Sequence, residues 1–353
     1  MTAVYSILIF CLLIFVHEFG HLGAAKLTGI RVNEFSLGMG PLLFKFQKGD
    51  TQYSLRLIPI GGFCAMEGED EESTDPAAFH NRPFYAKLLT IAAGSLMNLF
   101  LAFIVLSAVI FSIGAPSTTI ASVSENSPAA EAGIREGDRI MSVNGERIEK
   151  WDDVLTALRG GGETASGNSE SAGEVTGRPA DRVVTMRVER NGAMIEIESG
   201  LYTAEDGVQK IGVMPEMERH MENIGSTLVR GIRAVREMGT EMLDVIGKLF
   251  SGEVPVTDLT GPVGIVYAVN DTAKIGLIYV AQLTALLSLN LAIVNMLPIP
   301  ALDGGRLLFL VIRRITGKAI TDKLERQIHF AGIILLFGLM IFVTVQDVTR
   351  FIL

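Results

Sequence analysis

Two imidazoles and a carboxylate share one short stretch, Val16-His17-Glu18-Phe19-Gly20-His21. Residues four apart share a helix face, so His17 and His21 can aim both rings at one metal ion. Glu18 then stands where it can take a proton from water at that metal, the zincin arrangement. The setting is unusual for such a site. Tyr5 to Val16 is apolar apart from Ser6, and the run continues through Leu22, Ala24 and Ala25. Ionisable side chains at membrane depth are costly and by default mark function. With only 5 histidines in 353 residues, chance accounts poorly for two at this spacing. The competing reading is structural, with the histidines bonding neighbouring helices.

A catalytic zinc takes three protein ligands and keeps one position open. His80, His220 and His329 stand near no partner motif, so the candidate is an acid at membrane depth. Asn295-Met-Leu-Pro298-Ile-Pro300-Ala-Leu-Asp303-Gly304-Gly305 closes a hydrophobic run, and its prolines end regular helix. Irregular backbone at that depth survives only where it is buried or lines a cavity. Asp303 can complete the site, and Gly304 beside it allows close approach of metal or substrate. Asp-Gly is also a common turn, and spacing alone leaves both readings open. Thr284, Ser288 and Asn295 share one face of the preceding helix, a polar stripe towards the bundle interior or a simple helix-joining surface.

These groups need a scaffold within a membrane. The composition is 49% hydrophobic and 20% charged, which fits a membrane protein with a sizeable soluble part. Four segments approach the ~20 residues of a spanning helix: 3–25, 88–113, 275–297 and 330–345, the last able to begin earlier. Lysines and arginines gather between the first and second spans (Lys26 to Lys87) and between the third and fourth (Arg306 to Arg326). The positive-inside rule makes both loops cytoplasmic, with both termini and the acidic central domain outside. At ~1.5 Å per residue, His17 then lies roughly 20 Å below the outer end of its span. The N-terminus lacks the positive region of a cleavable signal, and its apolar run leads into the metal motif. No basic, aromatic-interleaved surface suggests nucleic acid. Cys11 and Cys64 form neither a disulfide framework nor a metal knuckle.

Residues 31–66 read as strands, Val32 to Leu43 and Phe44 to Ala65, with Lys48-Gly49-Asp50 as a turn and Pro59, Gly61 and Gly62 breaking the run. One reading is a plain cytoplasmic hairpin. The other folds it back to the metal, offering an edge strand to an extended peptide. Glu67 to Asp75 is an acidic connector. Span two carries Gly94, Ser95 and Asn98, a small-polar face suited to close helix packing. Beyond Gly114 the sequence becomes that of a soluble α+β domain, 116–203. It has strands at Thr119–Val123, Arg139–Val143, Arg182–Arg190 and Met194–Ser199, and turns at Asn144-Gly145 and Asn191-Gly192. Ser127 to Gly133 reads as a capped short helix and Trp151 to Leu158 as a second. The run from Ser127 to Gly145 resembles a PDZ domain of the circularly permuted bacterial kind, whose grooves bind peptides by strand addition. Residues 160–178, rich in Gly, Ser and Glu, read as a disordered insertion. Within 204–270, Asn223 to Phe250 is an amphipathic helix expected on the outer membrane surface or against the domain. Thr260-Gly261-Pro262-Val263-Gly264-Ile265 is expected as a turn before the last pair of spans, 271–353.

Together, His17-Glu18-x-x-His21 in the first span, one PDZ-like domain, Gly261-Pro-Val-Gly-Ile265 and Asn295-x-x-Pro-x-Pro-x-Leu-Asp303-Gly resemble the bacterial site-2 proteases of the RseP/RasP type, in the family's order and over nearly the whole chain. The resemblance implies a bundle of four transmembrane helices with a membrane-associated β-region and an extracytoplasmic PDZ domain, set in the bacterial inner membrane. It implies an intramembrane Zn2+ metalloprotease. Expected partners are single-span membrane proteins, such as anti-sigma factors or signal-peptide remnants, already shortened by an upstream site-1 protease. His17, His21 and Asp303 match the family's zinc ligands and Glu18 its general base. Asn295 matches a substrate-binding position. The stretch from Tyr53 to Met66, with Tyr53, Leu55 and Leu57 as candidate contacts, matches the membrane-associated β-region that holds substrate as an added strand. A metal transporter or a silent PDZ scaffold would share the spans, but neither needs Glu18 as a base.

Overall fold

Apolar runs separated by turn-forming residues dictate an architecture of long helices interrupted by two β-regions. A computed structural model describes residues 2–69, 73–160, 183–203, 209–218, 223–255, 259–317 and 322–351. The expected insertion, beyond its first residue, lies outside these, as do His220 and residues 70–72 of the acidic connector. The chain divides into two units, residues 1–109 with 228–353, and residues 110–227.

In the first unit, α1 (Thr2–Thr28) leads into strands β1 (Val32–Lys48) and β2 (Thr51–Met66), followed by α2 (Phe84–Ile113). Pro59, Gly61 and Gly62 bend β2 rather than ending it, through a series of register shifts. The bend doubles the hairpin back on itself. Phe44–Lys48 pairs with Thr51–Leu55, Gln52–Leu55 also lies beside Glu34–Leu37, and Glu34–Leu37 carries Gly62–Ala65 on its other side. The stretch Gly62–Met66 is therefore an edge, while Tyr53 and Leu55 have a neighbour on both sides.

In the second unit come β3 (Ala115–Val123), α3 (Pro128–Glu131), β4 (Arg139–Val143), β5 (Glu146–Arg147), α4 (Trp151–Gly160), β6 (Val183–Arg190), β7 (Ala193–Gly200), β8 (Tyr202–Thr203), β9 (Gln209–Lys210) and β10 (Val213–Glu218). The main sheet has the order β10-β3-β4-β6-β7, with β5 on β4. Ser127 caps α3 by accepting from the Ala130 amide, and Asn144 and Asn191 take the left-handed turns foreseen for them. Ile120, Ile140, Val143, Val154, Met186 and Val188 fill the core. The strands β8, β9 and β10 were not foreseen. β10 pairs with β3, so this unit runs past the expected boundary at 203; Pro215 inside so short a run hides it from pattern reading.

The chain returns to the first unit through α5 (Ile224–Ser251), then α6 (Pro262–Ile275), α7 (Leu277–Asn295), α8 (Asp303–Thr316) and α9 (Asp322–Phe351). Among the described residues, four helices are long and apolar enough to cross a bilayer: Val4–Thr28, Phe84–Ile113, Leu277–Asn295 and Leu324–Phe351. The last begins six residues before the expected 330 and ends after 345. Two expectations fail here. From residue 228 on, α5 does not lie apart on a membrane surface: Ala234, Val235, Met238 and Met242 pack on Ala102 and Leu106 of α2 and Leu289 of α7. An amphipathic stripe fixes which face is buried, not what buries it. The stretch after Gly261 is a helix rather than a turn, because the buried Asp347 carboxylate of α9 accepts from the Gly261 and Gly264 amides at its N-terminus, at 3.2 and 2.8 Å.

Candidate metal centre

Helical spacing puts His17 and His21 on one face of α1, and their Nε2 atoms lie 3.2 Å apart. Asp303 sits in the first turn of α8, where the Pro298–Pro300 corner ends α7 and turns the chain back. Its Oδ2 reaches within 3.2 Å of His17 Nε2 and 3.4 Å of His21 Nε2. Among the described residues this is the one group of three such side chains whose ligand atoms converge, all within 4.8 Å.

The surroundings fit a zinc ion. Asp303 Oδ2 is buried and takes no hydrogen bond, which is costly unless a cation meets it there. His21 Nδ1 donates to the Thr90 carbonyl at 2.8 Å, leaving the Nε2 lone pair aimed inward, as a ligating histidine requires. Fully buried Asn98 stands 3.3 Å from His17 Nδ1, and its amide oxygen has no partner. With the amide turned by half a rotation, His17 Nδ1–H donates to that oxygen and both groups are satisfied. Two neutral imidazoles and a carboxylate are the donor set of a catalytic zinc.

Close approach is built in. A Cβ on Gly94 would fall on His21 Nε2 and 2.7 Å from His17 Cε1, so only glycine lets α2 pass here. Gly304, expected to make room for metal or substrate, gives room to the chain's own backbone instead: its Cα packs on the Met296–Leu297 turn. Asn295 is 3.5 Å from His17 Nε2, beside the three donors.

A cavity of about 430 Å³ opens on the centre, lined by Glu18 and Asp303 and by Phe63–Met66 of β2. The Glu18 carboxylate meets the Cys64 backbone amide. Burial pushes the Cys64 thiol up, as does nearby Glu18, so it lines the cavity as a neutral thiol rather than a thiolate ligand. Tyr53, Leu55 and Leu57 do not reach this cavity. Tyr53 stacks on Phe46, and Leu55 and Leu57 are exposed. The strand that does reach it is Gly62–Met66. Sequence reasoning also passed over Asn98, read as packing, and Thr90, which acts through a carbonyl no side-chain pattern reveals.

Such a donor triangle with an adjacent glutamate, carried on helices fit to span a bilayer, defines a membrane metalloprotease. The model of Peptidase family M50 matches residues 5–339, and the chain belongs to that family. A Clostridium perfringens protein bearing a zinc metalloprotease name is 35% identical over 353 residues, covering 99% of this chain and 98% of its own. Regulator of sigma-W protease RasP of Bacillus subtilis is 30% identical over 433 residues, covering 99% and 98%. The PDZ domain of an SdrC-like protein from Listeria monocytogenes matches 28% of this chain and 85% of its own at 14% identity, with a TM-score of 0.21, too low to weigh on the fold. The chain is a zinc metalloprotease of the site-2 type.

Proposed function

We propose that this protease cuts single-span membrane proteins within the bilayer, with Glu18 as general base. The observation that carries the reading is the convergence of His17, His21 and Asp303, with Glu18 on the same cavity, on helices apolar enough to span. Zinc held by the three donors supplies a Lewis acid that polarises the scissile carbonyl and acidifies water. Glu18 accepts the proton of the attacking water and returns it to the leaving amine. The Cys64 amide holds the Glu18 carboxylate in place, and the Thr90 carbonyl and Asn98 orient the imidazoles. Asn295 offers an amide donor to the substrate backbone beside the reacting carbonyl.

A transmembrane helix shields its own peptide bonds, so the substrate must unwind before it is cut. Edge Gly62–Met66, of which Phe63–Met66 line the cavity, offers an unwound segment a strand to pair with. Tyr53 and Leu55, paired with a neighbouring strand on both sides, support that edge rather than pairing with substrate. The second unit acts as an extracytoplasmic PDZ domain. The positively charged loops support an orientation in the inner membrane with both termini extracytoplasmic. The substrates are anti-sigma-factor-like proteins or signal-peptide remnants, first shortened by a site-1 protease. The sigma-W name of the Bacillus subtilis relative favours the former.

Detergent-purified wild type and Glu18→Gln, assayed for bound zinc and for cleavage of a single-span peptide, test the reading. Zinc in both with cleavage lowered about 10²- to 10⁴-fold in the variant is expected. Equal cleavage by both would sink the role of Glu18. A companion pair of substrates, one poly-leucine span and one carrying glycines, tests the unwinding step; equal rates refute it.

A further inference from the structure

The zinc-ligand turn is held from α9. Ala301, two residues before Asp303, has φ +78°, a left-handed conformation that a residue with a Cβ adopts only when its surroundings impose it. Its N–H donates to His329 Nδ1 at 2.9 Å. That direction makes Nδ1 the acceptor and puts the ring proton of His329 on Nε2. The ring is fixed on its other sides as well. It packs on Phe309 of α8 with centroids 5.6 Å apart, and its Nε2 lies 3.9 Å from Glu325, which in turn pairs with Arg313 of α8 at 2.5 Å. Gly332, one turn further along α9, lets the helix close on the same corner: a Cβ there would stand 2.6 Å from the Pro300 carbonyl oxygen.

We propose that His329 is a positioning residue for the zinc site, fixing the left-handed Ala301 so that the next turn delivers Asp303 Oδ2 to the two imidazoles. The proposal rests on Asp303 being a zinc ligand. The physical reason is that α8 begins at the ligand itself and the prolines before it contribute no amide to a regular helix. Besides the Arg306–Glu69 pair and the packing of Gly304 and Gly305, the His329 bond is what fixes the backbone conformation of the corner leading into it. A loose corner would let Asp303 swing by more than the tolerance of a metal site. His329 thus gives the fourth span a share in the chemistry without touching zinc or substrate.

The test titrates zinc on the full-length protein in detergent against a chelator of known affinity, with Asp303→Asn alongside. His329→Phe keeps the ring against Phe309 and removes the acceptor; it is expected to bind zinc at least about tenfold more weakly. His329→Asn offers an acceptor again and is expected within about threefold of wild type. Adding Ala301→Gly to His329→Phe should recover most of the loss, because glycine holds a positive φ unaided. Wild-type affinity in His329→Phe, with Asp303→Asn defective, overturns the proposal and leaves the ligand set standing. Wild-type affinity in Asp303→Asn overturns the ligand set itself. If His329→Phe does not fold, a fold regained in the double variant supports the proposal. His329→Asn that folds yet binds zinc as weakly as Asp303→Asn overturns it.

Discussion

Two buried aspartates, one in each unit, solve the same problem in opposite ways. Asp138 is fully buried in the second unit, and each oxygen meets an Arg190 nitrogen at 2.7 Å while the Arg135 amide donates at 2.8 Å. Asp303 in the first unit keeps an oxygen with no donor at all, facing two imidazole nitrogens. A satisfied bidentate pair holds a fold together. A buried oxygen without a protein partner is an expense that folding alone does not explain, and here it marks the place of a cation. The difference teaches which buried charge to read as function: the one the chain leaves incomplete.

Breaking the incomplete site should have the largest effect. Chelation of zinc, or His21→Ala, is expected to reduce cleavage of a single-span peptide to background, and Zn2+ should restore the chelated wild type but not the variant. Retained cleavage after verified metal loss would refute the distinction at its root. Gly94→Ala sharpens it. The added methyl falls on both histidines, so zinc affinity should drop by on the order of tenfold or more, read by the same chelator competition. Unchanged affinity would mean that α2 can withdraw from the site at little cost.

How much of this was legible in the sequence follows the range of the interactions. His17, Glu18 and His21 were readable because helical spacing alone brings them together. Asp303 was a candidate by depth and by its prolines, and became a ligand assignment only through family resemblance, since no local rule joins two distant helices. Asn98 and His329 were not readable. Each acts across a helix–helix contact, through one hydrogen bond, and a buried polar residue in a span reads equally well as packing. The β-region shows a further limit. Alternation at Tyr53–Leu57 is the cleanest strand signal there, but it belongs to an interior strand. The part of the expected Tyr53–Met66 stretch that lines the cavity, Phe63–Met66, follows the residues that break the pattern. Turns in the second unit were readable to the residue, because Asn-Gly at two-residue hairpins is fixed by backbone sterics.

The complete pair should behave as structure and nothing else. Asp138→Ala removes a bidentate partner of Arg190 and the acceptor for the Arg135 amide. The apparent Tm of the second unit should fall by on the order of 10 °C, from the strength of hydrogen bonds to charged groups and the usual enthalpy of a domain this size. Trp151 is the chain's only tryptophan and packs on that unit's core, so its fluorescence follows this transition. Zinc affinity is expected to stay at the wild-type value. A zinc defect in this variant would erase the contrast between the two aspartates.

The smallest effect is the acid dependence of the same pair. Burial alone raises the Asp138 carboxyl, but the Arg190 guanidinium and the Arg135 amide outweigh it and hold the group below its ordinary value. A carboxyl with a depressed folded pKa binds fewer protons folded than unfolded. Its stabilisation is therefore fully present above the ordinary aspartate value of about 4 and is lost as pH falls below that towards the folded value. The Trp151-monitored Tm of wild type should thus fall more steeply below about pH 4 than that of Asp138→Ala, and the two curves should run parallel near neutrality. Parallel curves throughout would mean that the carboxyl is not held down in the folded state. Asp138 would then gain nothing from its arginine on ionising, and its likeness to a completed charge pair would fail.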